Sequence, residues 1–180
     1  MSLVDDVEFS AHYCKGSLPV AFVFSVPGRK EELEGKPVVG ATGNNLDFAL
    51  AALHGAKPQL FKSQNRYSYR ITNAYDDPTY KAKNGFTERS KNEILYPGNV
   101  ERVVNELKGC EIVVLCGRRA QLLKNEIEKV AVHRVISMWH TSSRALFVKY
   151  NESDVRQLPT SPMRTKRRAE LWASELLKML

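Results

Sequence analysis

The chain has 180 residues, 43% of them hydrophobic and 26% charged, which suits one ordinary globular domain (residues 1–180) with a real core and excludes a disordered or fibrous chain. No stretch approaches the roughly 18 consecutive apolar residues of a membrane span, and the acidic opening MSLVDDVEFS lacks the basic and apolar parts of a signal peptide. No membrane partner is therefore expected, and a cytoplasmic location is (nucleoid-associated, if the source is bacterial). The formal net charge of +7, with a pI of about 9.4, favours an anionic partner, nucleic acid first.

Residues 1–17 carry little periodicity and read as a helix or an arm. Residues 18–25 are apolar nearly throughout, as in a strand covered on both faces. The strand stops at Ser25-Val26-Pro27-Gly28, and a long loop follows with the adjacent acids Glu31 and Glu32. Such βα connections usually run about 2–6 residues, so this one reads as part of a site. Leu46, Leu50 and Leu53 recur at helical spacing, predicting a helix over 44–54 with Gly55 just past its end. Residues 66–73, RYSYRITN, predict a second strand ending at Asn73.

Residues 74–97 predict a long polar loop. It is basic through Lys81, Lys83, Arg89 and Lys91 and aromatic through Tyr75, Tyr80, Phe86 and Tyr96. It reads either as a surface that tracks phosphate and stacks a base or as a solvated loop with its rings pinned to the core. Val100, Val103, Val104 and Leu107 predict a helix over 99–108; 111–117 is a third apolar strand; 118–130 is a helix; 132–138 is a fourth strand. After an irregular stretch, 163–180 predicts a closing helix with Trp172, Leu176 and Leu180 on one stripe and a basic start. Strands alternating with amphipathic helices mean an α/β protein, a three-layer α/β/α sandwich around a central four-stranded parallel sheet. Nothing predicts an oligomer, so a monomer is expected.

In a parallel sheet the C-terminal strand ends share one edge, which brings Ser25 with Pro27 and Gly28, then Asn73, then His140 with Thr141 and Ser142, to one crevice. An Asn carries both a carbonyl and an amide, and can pair with the edge of a planar heterocycle. A His can donate to an oxygen on which negative charge grows. The cysteines, Cys14, Cys110 and Cys116, are odd in number and irregularly spaced, with no CxxC pair, so reduced thiols are expected and neither a disulfide framework nor a metal site.

Several of these stretches resemble motifs of the uracil-DNA glycosylase superfamily. Pro27, Gly28, Glu31, Glu32, Gly35, Lys36, Pro37, Val39, Gly40, Gly43 and Leu46 fall at spacing similar to its iron–sulfur branch. Ile71-Thr72-Asn73 resembles the strand end that reads uracil. Val114-Leu115-Cys116-Gly117 with Ala120 resembles an apolar strand and turn of the family, and His140-Thr141-Ser142 its His-Pro-Ser motif. The resemblance spans residues 18–150 and implies a DNA glycosylase that flips a base from the stack and hydrolyses its N-glycosidic bond.

Carried over residue by residue, the resemblance implies that Asn73 recognises the base with Val38, Pro27 and Gly28 lining its pocket. It implies that His140 is catalytic, with Ser25 at the position of the water-handling residue. Ser142, Ser143, Arg144 and Leu146 would enter the minor groove, with Leu146 or Arg144 as the wedge. The chain departs from the pattern at Ser25, where the family carries an acid or amide, at Val38, where it carries a stacking Phe, and at Thr141. It lacks the four cluster cysteines, so no iron–sulfur cluster and no other cofactor is expected. The target is then uracil or a different modified base. The alternatives are a catalytically silent DNA- or base-binding protein of the same fold and a nucleoside or nucleotide hydrolase.

Overall fold

The computed structural model describes residues 8–130 and 134–180. The elements in chain order are β1 (Leu18–Phe24), α1 (Arg29–Glu34), α2 (Gly40–Ala56), β2 (Tyr69–Asn73), α3 (Lys81–Asn84), α4 (Lys91–Ile94), α5 (Pro97–Glu106), β3 (Ile112–Cys116), α6 (Arg118–Gln121), α7 (Lys124–Val130), β4 (Arg134–Met138), α8 (Ser143–Lys149), α9 (Ser153–Arg156) and α10 (Ser161–Lys178). The four strands form one all-parallel sheet in the order β2-β1-β3-β4, the expected α/β sandwich.

Side chains alternate across a strand, and here both faces are covered. Val20, Phe22 and Phe24 of β1 join Ile112 and Val114 of β3 in a core with Leu46, Leu50 and Leu53 of α2 and Trp172 and Leu176 of α10. Ala21 and Val23 turn the other way, to Val113, Leu115, Val103 of α5, Ala120 of α6 and Ile127 of α7. That two-sided burial is why β1 and β3 read as continuous apolar runs. No helix among the described residues is long and apolar enough to cross a membrane.

Several expectations change in detail. Between β1 and α2 the chain is not a bare loop, because Glu31 folds back to accept the Gly28 N–H at 3.0 Å and nucleates α1. Helix α2 starts at Gly40 and runs through Gly55, with Lys57 as its C-cap. Residues 118–130 form two helices, α6 and α7, where one was expected. The loop over 74–97 carries α3 and α4. The described part of the N-terminal arm is not helical, since Phe9 bridges Cys14 and Cys14 bridges Ile71 of β2. Residues 132 and 133, at the expected start of the fourth strand, lie outside the described residues.

Val38, just ahead of α2, holds φ 52 and is buried at 4% in the core. Its carbonyl presses so close to α2 that a Cβ on Gly43 would drive into it and into the Arg66 guanidinium. Gly43→Ala should therefore lower stability by about 1–3 kcal/mol. Gly55→Ala, in open space on the same helix, should be neutral or stabilising by up to about 1 kcal/mol. Urea-unfolding midpoints of the two variants check the pair.

Candidate functional site

The connection leaving β1 leads to β2 on one side, and the one leaving β3 leads to β4 on the other. The C-terminal ends of β1 and β3 are therefore a topological switch point, where open α/β sheets leave a crevice. A crevice of about 1040 Å³ opens there. Its walls include Ser25 and Val26 after β1, Gly117, Arg118 and Arg119 after β3, Trp139, His140 and Ser142 after β4, Arg144 and Val148 of α8, and Thr87 and Glu88 of the long loop.

His140 is held closely. Gly117, at φ 93, has no Cβ to obstruct it; one placed there would lie 3.1 Å from the Cβ of His140. The imidazole thus leans across the end of β3 and meets the Phe24 ring edge-on at 5.4 Å between centroids. The backbone N–H of Ser142 donates to His140 Nδ1 at 3.0 Å. An Nδ1 that accepts leaves the proton of the neutral ring on Nε2, which has no protein partner among the described residues. Burial pushes the imidazole pKa down to about 4, and the nearby Glu88 carboxylate opposes that shift. At neutral pH the crevice therefore contains an uncharged imidazole with an available Nε2–H.

The segment that carries this ring is pinned from four elements. Gly117 N–H and Gln121 Nε2 donate to the Met138 carbonyl, each at 2.8 Å. Trp172 Nε1 of α10 donates to the Trp139 carbonyl at 2.7 Å. Asn45 of α2, only 1% exposed, donates to the Thr141 carbonyl at 2.8 Å. Thr141 Oγ1 returns a bond to the Thr42 carbonyl at 3.2 Å. Ser142 caps α8, its Oγ accepting from the Ala145 N–H.

Ser25, His140, Ser142 and Arg144 meet at the crevice, but the other expected site residues do not line it. Asn73 sits opposite Phe24 in the β1–β2 register, so Phe24 stands between it and His140 in the strand order. Its carbonyl accepts from Arg102 at 3.0 Å, and its Oδ1 is buried without a partner among the described residues. Pro27 gives its carbonyl to the Thr79 N–H, and Gly28 is occupied capping α1. Ser143 accepts a bond from Asn45 at 3.3 Å.

Two expectations are corrected outright. Val38 is a core residue and offers no face to a ligand. Leu146 is 1% exposed, because α8 packs that side against α2 and α10, and a wedge must stand outside the fold. The outward apolar residues of α8 are its neighbours Phe147 and Val148, 53% and 65% exposed.

Other expected groups are engaged elsewhere. Glu31 accepts from the Gly28 and Val39 N–H groups. Glu32 accepts from the Tyr80 hydroxyl and pairs with Lys83. Arg89 pairs with Asp77 and Glu93 and lies over the Tyr75 and Phe86 rings, so it organises its own loop. On α10, Arg168 is buried against the Tyr150 carbonyl and Asn151, and Arg167 pairs with Asp154 and Glu170. All three cysteines are free and buried, and burial raises the thiol pKa of each.

Sequence reasoning assigned no role to Trp139, Glu88, Arg118 or Asn45. Trp139 and Glu88 face the crevice, Arg118 stands exposed at its rim, and Asn45 braces the turn behind it. The only available sign was that Asn45 is polar on the apolar side of α2. A search against models of protein families finds none that matches this chain, and a search of curated proteins finds no relative.

Because the half-buried His140 ring is neutral in the fold, its folded-state pKa lies below the unfolded value of about 6.5. Its share of stability is complete above about pH 6.5 and is lost as the pH falls towards about 4. His140→Gln should flatten that part of the stability–pH curve by about 2–3 kcal/mol, and the His140 imidazole resonances of the native protein should titrate near 4 in NMR.

Proposed function

We propose that the protein is a DNA glycosylase-like enzyme that takes a flipped base into the crevice at the β1/β3 switch point and hydrolyses its N-glycosidic bond. The observation that carries this reading is the neutral, tautomer-fixed His140, whose Nε2–H has no protein partner among the described residues. When the C1′–N bond breaks, electrons move into the base and negative charge grows on a ring carbonyl oxygen. A fixed N–H donor aimed at that oxygen stabilises the charge more than it stabilises the neutral base. A neutral imidazole suits the task, because it donates without first having to lose a proton at physiological pH.

The surroundings support a nucleic-acid substrate. Trp139, 38% exposed, lines the crevice with the Lys149 ammonium 5.7 Å from its ring centroid, an aromatic surface of the kind on which bases stack. Arg118 and Arg144 are exposed at the rim and form no ion pair among the described residues, which leaves them available for phosphate. Phe147 and Val148, outward on α8 beside Arg144, are the apolar side chains placed to fill the gap left by an extruded base.

The test is a panel of oligonucleotides carrying uracil, hypoxanthine, xanthine or bulky modified pyrimidines, treated with alkali after incubation. The wild-type protein should leave alkali-labile sites on at least one of them, and His140→Ala should slow excision by about 10²–10³-fold with DNA binding retained. Salt-sensitive binding with no cleavage of any member would instead mark a base-binding protein without glycosylase chemistry. Arg144→Ala should weaken binding about equally across sequences and reduce the salt slope by about one, as read from fluorescence anisotropy at several salt concentrations.

A further inference from the structure

A hydrolytic crevice needs a group to prepare water as well as one to receive charge. Elimination narrows the candidates. Glu31 is consumed in the α1 cap and Glu32 by Tyr80 and Lys83. Asp77 is held by Arg89 and Lys83, and Asp47 by Arg66, both outside the crevice lining. Asp76 lines a separate cavity against α5. Among the described residues, the one carboxylate in the crevice wall is Glu88. It comes from the long loop, reaches across to accept from Arg119 Nε at 2.9 Å, and is the charged neighbour that His140 senses. Ser25 Oγ, in the same wall, is buried with no partner among the described residues.

We propose that Glu88 is the general base of this site, resting on the glycosylase reading above, with the Ser25 hydroxyl holding the water that it activates. The balance is simple. The Glu88 carboxylate takes one proton from water as the water oxygen bonds to C1′. The C1′–N bond breaks, and its electron pair leaves with the base while His140 Nε2–H donates to the base oxygen. The proton on Glu88 then returns through solvent to the departed base, closing the cycle as a hydrolysis. In the resting state the Arg119 guanidinium holds the carboxylate at the crevice wall. The carboxylate also provides a negative charge beside a sugar that becomes oxocarbenium-like as the bond opens.

The experiment uses the full-length protein on whichever oligonucleotide of the panel the wild type cleaves. Glu88→Gln should reduce single-turnover excision by about 100-fold or more while leaving oligonucleotide affinity within about threefold. In Glu88→Ala, added formate should restore excision by about tenfold or more in a concentration-dependent way, because a small carboxylate can occupy the vacated place and do the same proton transfer. Arg119→Gln, which removes only the partner, should lose less than Glu88→Gln and gain nothing from formate. An active wild type with an equally active Glu88→Gln overturns the role of Glu88 alone and leaves the glycosylase reading standing. Absence of formate rescue, together with an Arg119→Gln loss equal to that of Glu88→Gln, marks Glu88 as merely structural and likewise overturns the proposal. A wild type that excises no base from any member of the panel overturns both readings together.

Discussion

Backbone carbonyls that leave a sheet still require donors, and the stretch from Met138 to Ser142 meets that requirement from four directions at once. Gly117 and Gln121 satisfy Met138, Trp172 satisfies Trp139, and Asn45 satisfies Thr141. A buried carbonyl left unpaired costs about 1–3 kcal/mol, so each bond closes off alternative paths for the chain. The orientation of His140 follows from this. Its ring is carried over the end of β3 by a backbone with no freedom to retract, and the Ser142 N–H then selects its tautomer. The site is rigid because the fold's two long helices, α2 and α10, both terminate polar contacts on the same short turn.

The distribution of charge follows from packing in a similar way. Much of the basic excess is spent inside the molecule. Arg102 ties Asn99, Glu106 and the Asn73 carbonyl together behind β2, and His12 adds a bond to the same Glu106. Arg66, Arg89 and Arg168 each sit over an aromatic ring and bond to a neighbouring segment. Cations placed like this brace loops and strand ends through several donors at once, which a single planar guanidinium does well. What remains at the crevice is a short rim of Arg118 and Arg144, with the Arg119–Glu88 pair in its wall.

The long loop over 74–97 has a dual character. Its capping box at Ser90 and Glu93 and its Arg89 contacts make it a self-supporting unit, and the Ser90 bonds hold the Glu93 carboxyl down to about 2. Its tip nevertheless supplies Thr87 and Glu88 to the crevice. Of the basic residues that drew notice in the sequence, Arg89 and Lys83 brace the loop itself, and an unremarked acid, Glu88, is the part that faces the crevice. Ion pairs between residues ten or more apart are decided by loop shape, which no local pattern encodes.

The amino-acid sequence by itself determined the strands, the order of alternation and therefore the parallel α/β architecture, because burial on both faces forces continuous apolar runs and one-sided helices leave a 3.6-residue stripe. It also marked Ser25 and His140 as strand-end residues on one edge. Only the tertiary structure decided which polar groups meet. The order β2-β1-β3-β4 set the switch point between β1 and β3 and put Phe24 between Asn73 and His140. The packing of α8 turned Leu146 inward and left Phe147 and Val148 outside, and the cross-chain bonds of Asn45 and Trp172 fixed the His140 ring. Periodicity reports which side of an element is buried, but a functional site is a set of contacts between elements, and those depend on strand order and helix rotation that the local pattern does not carry.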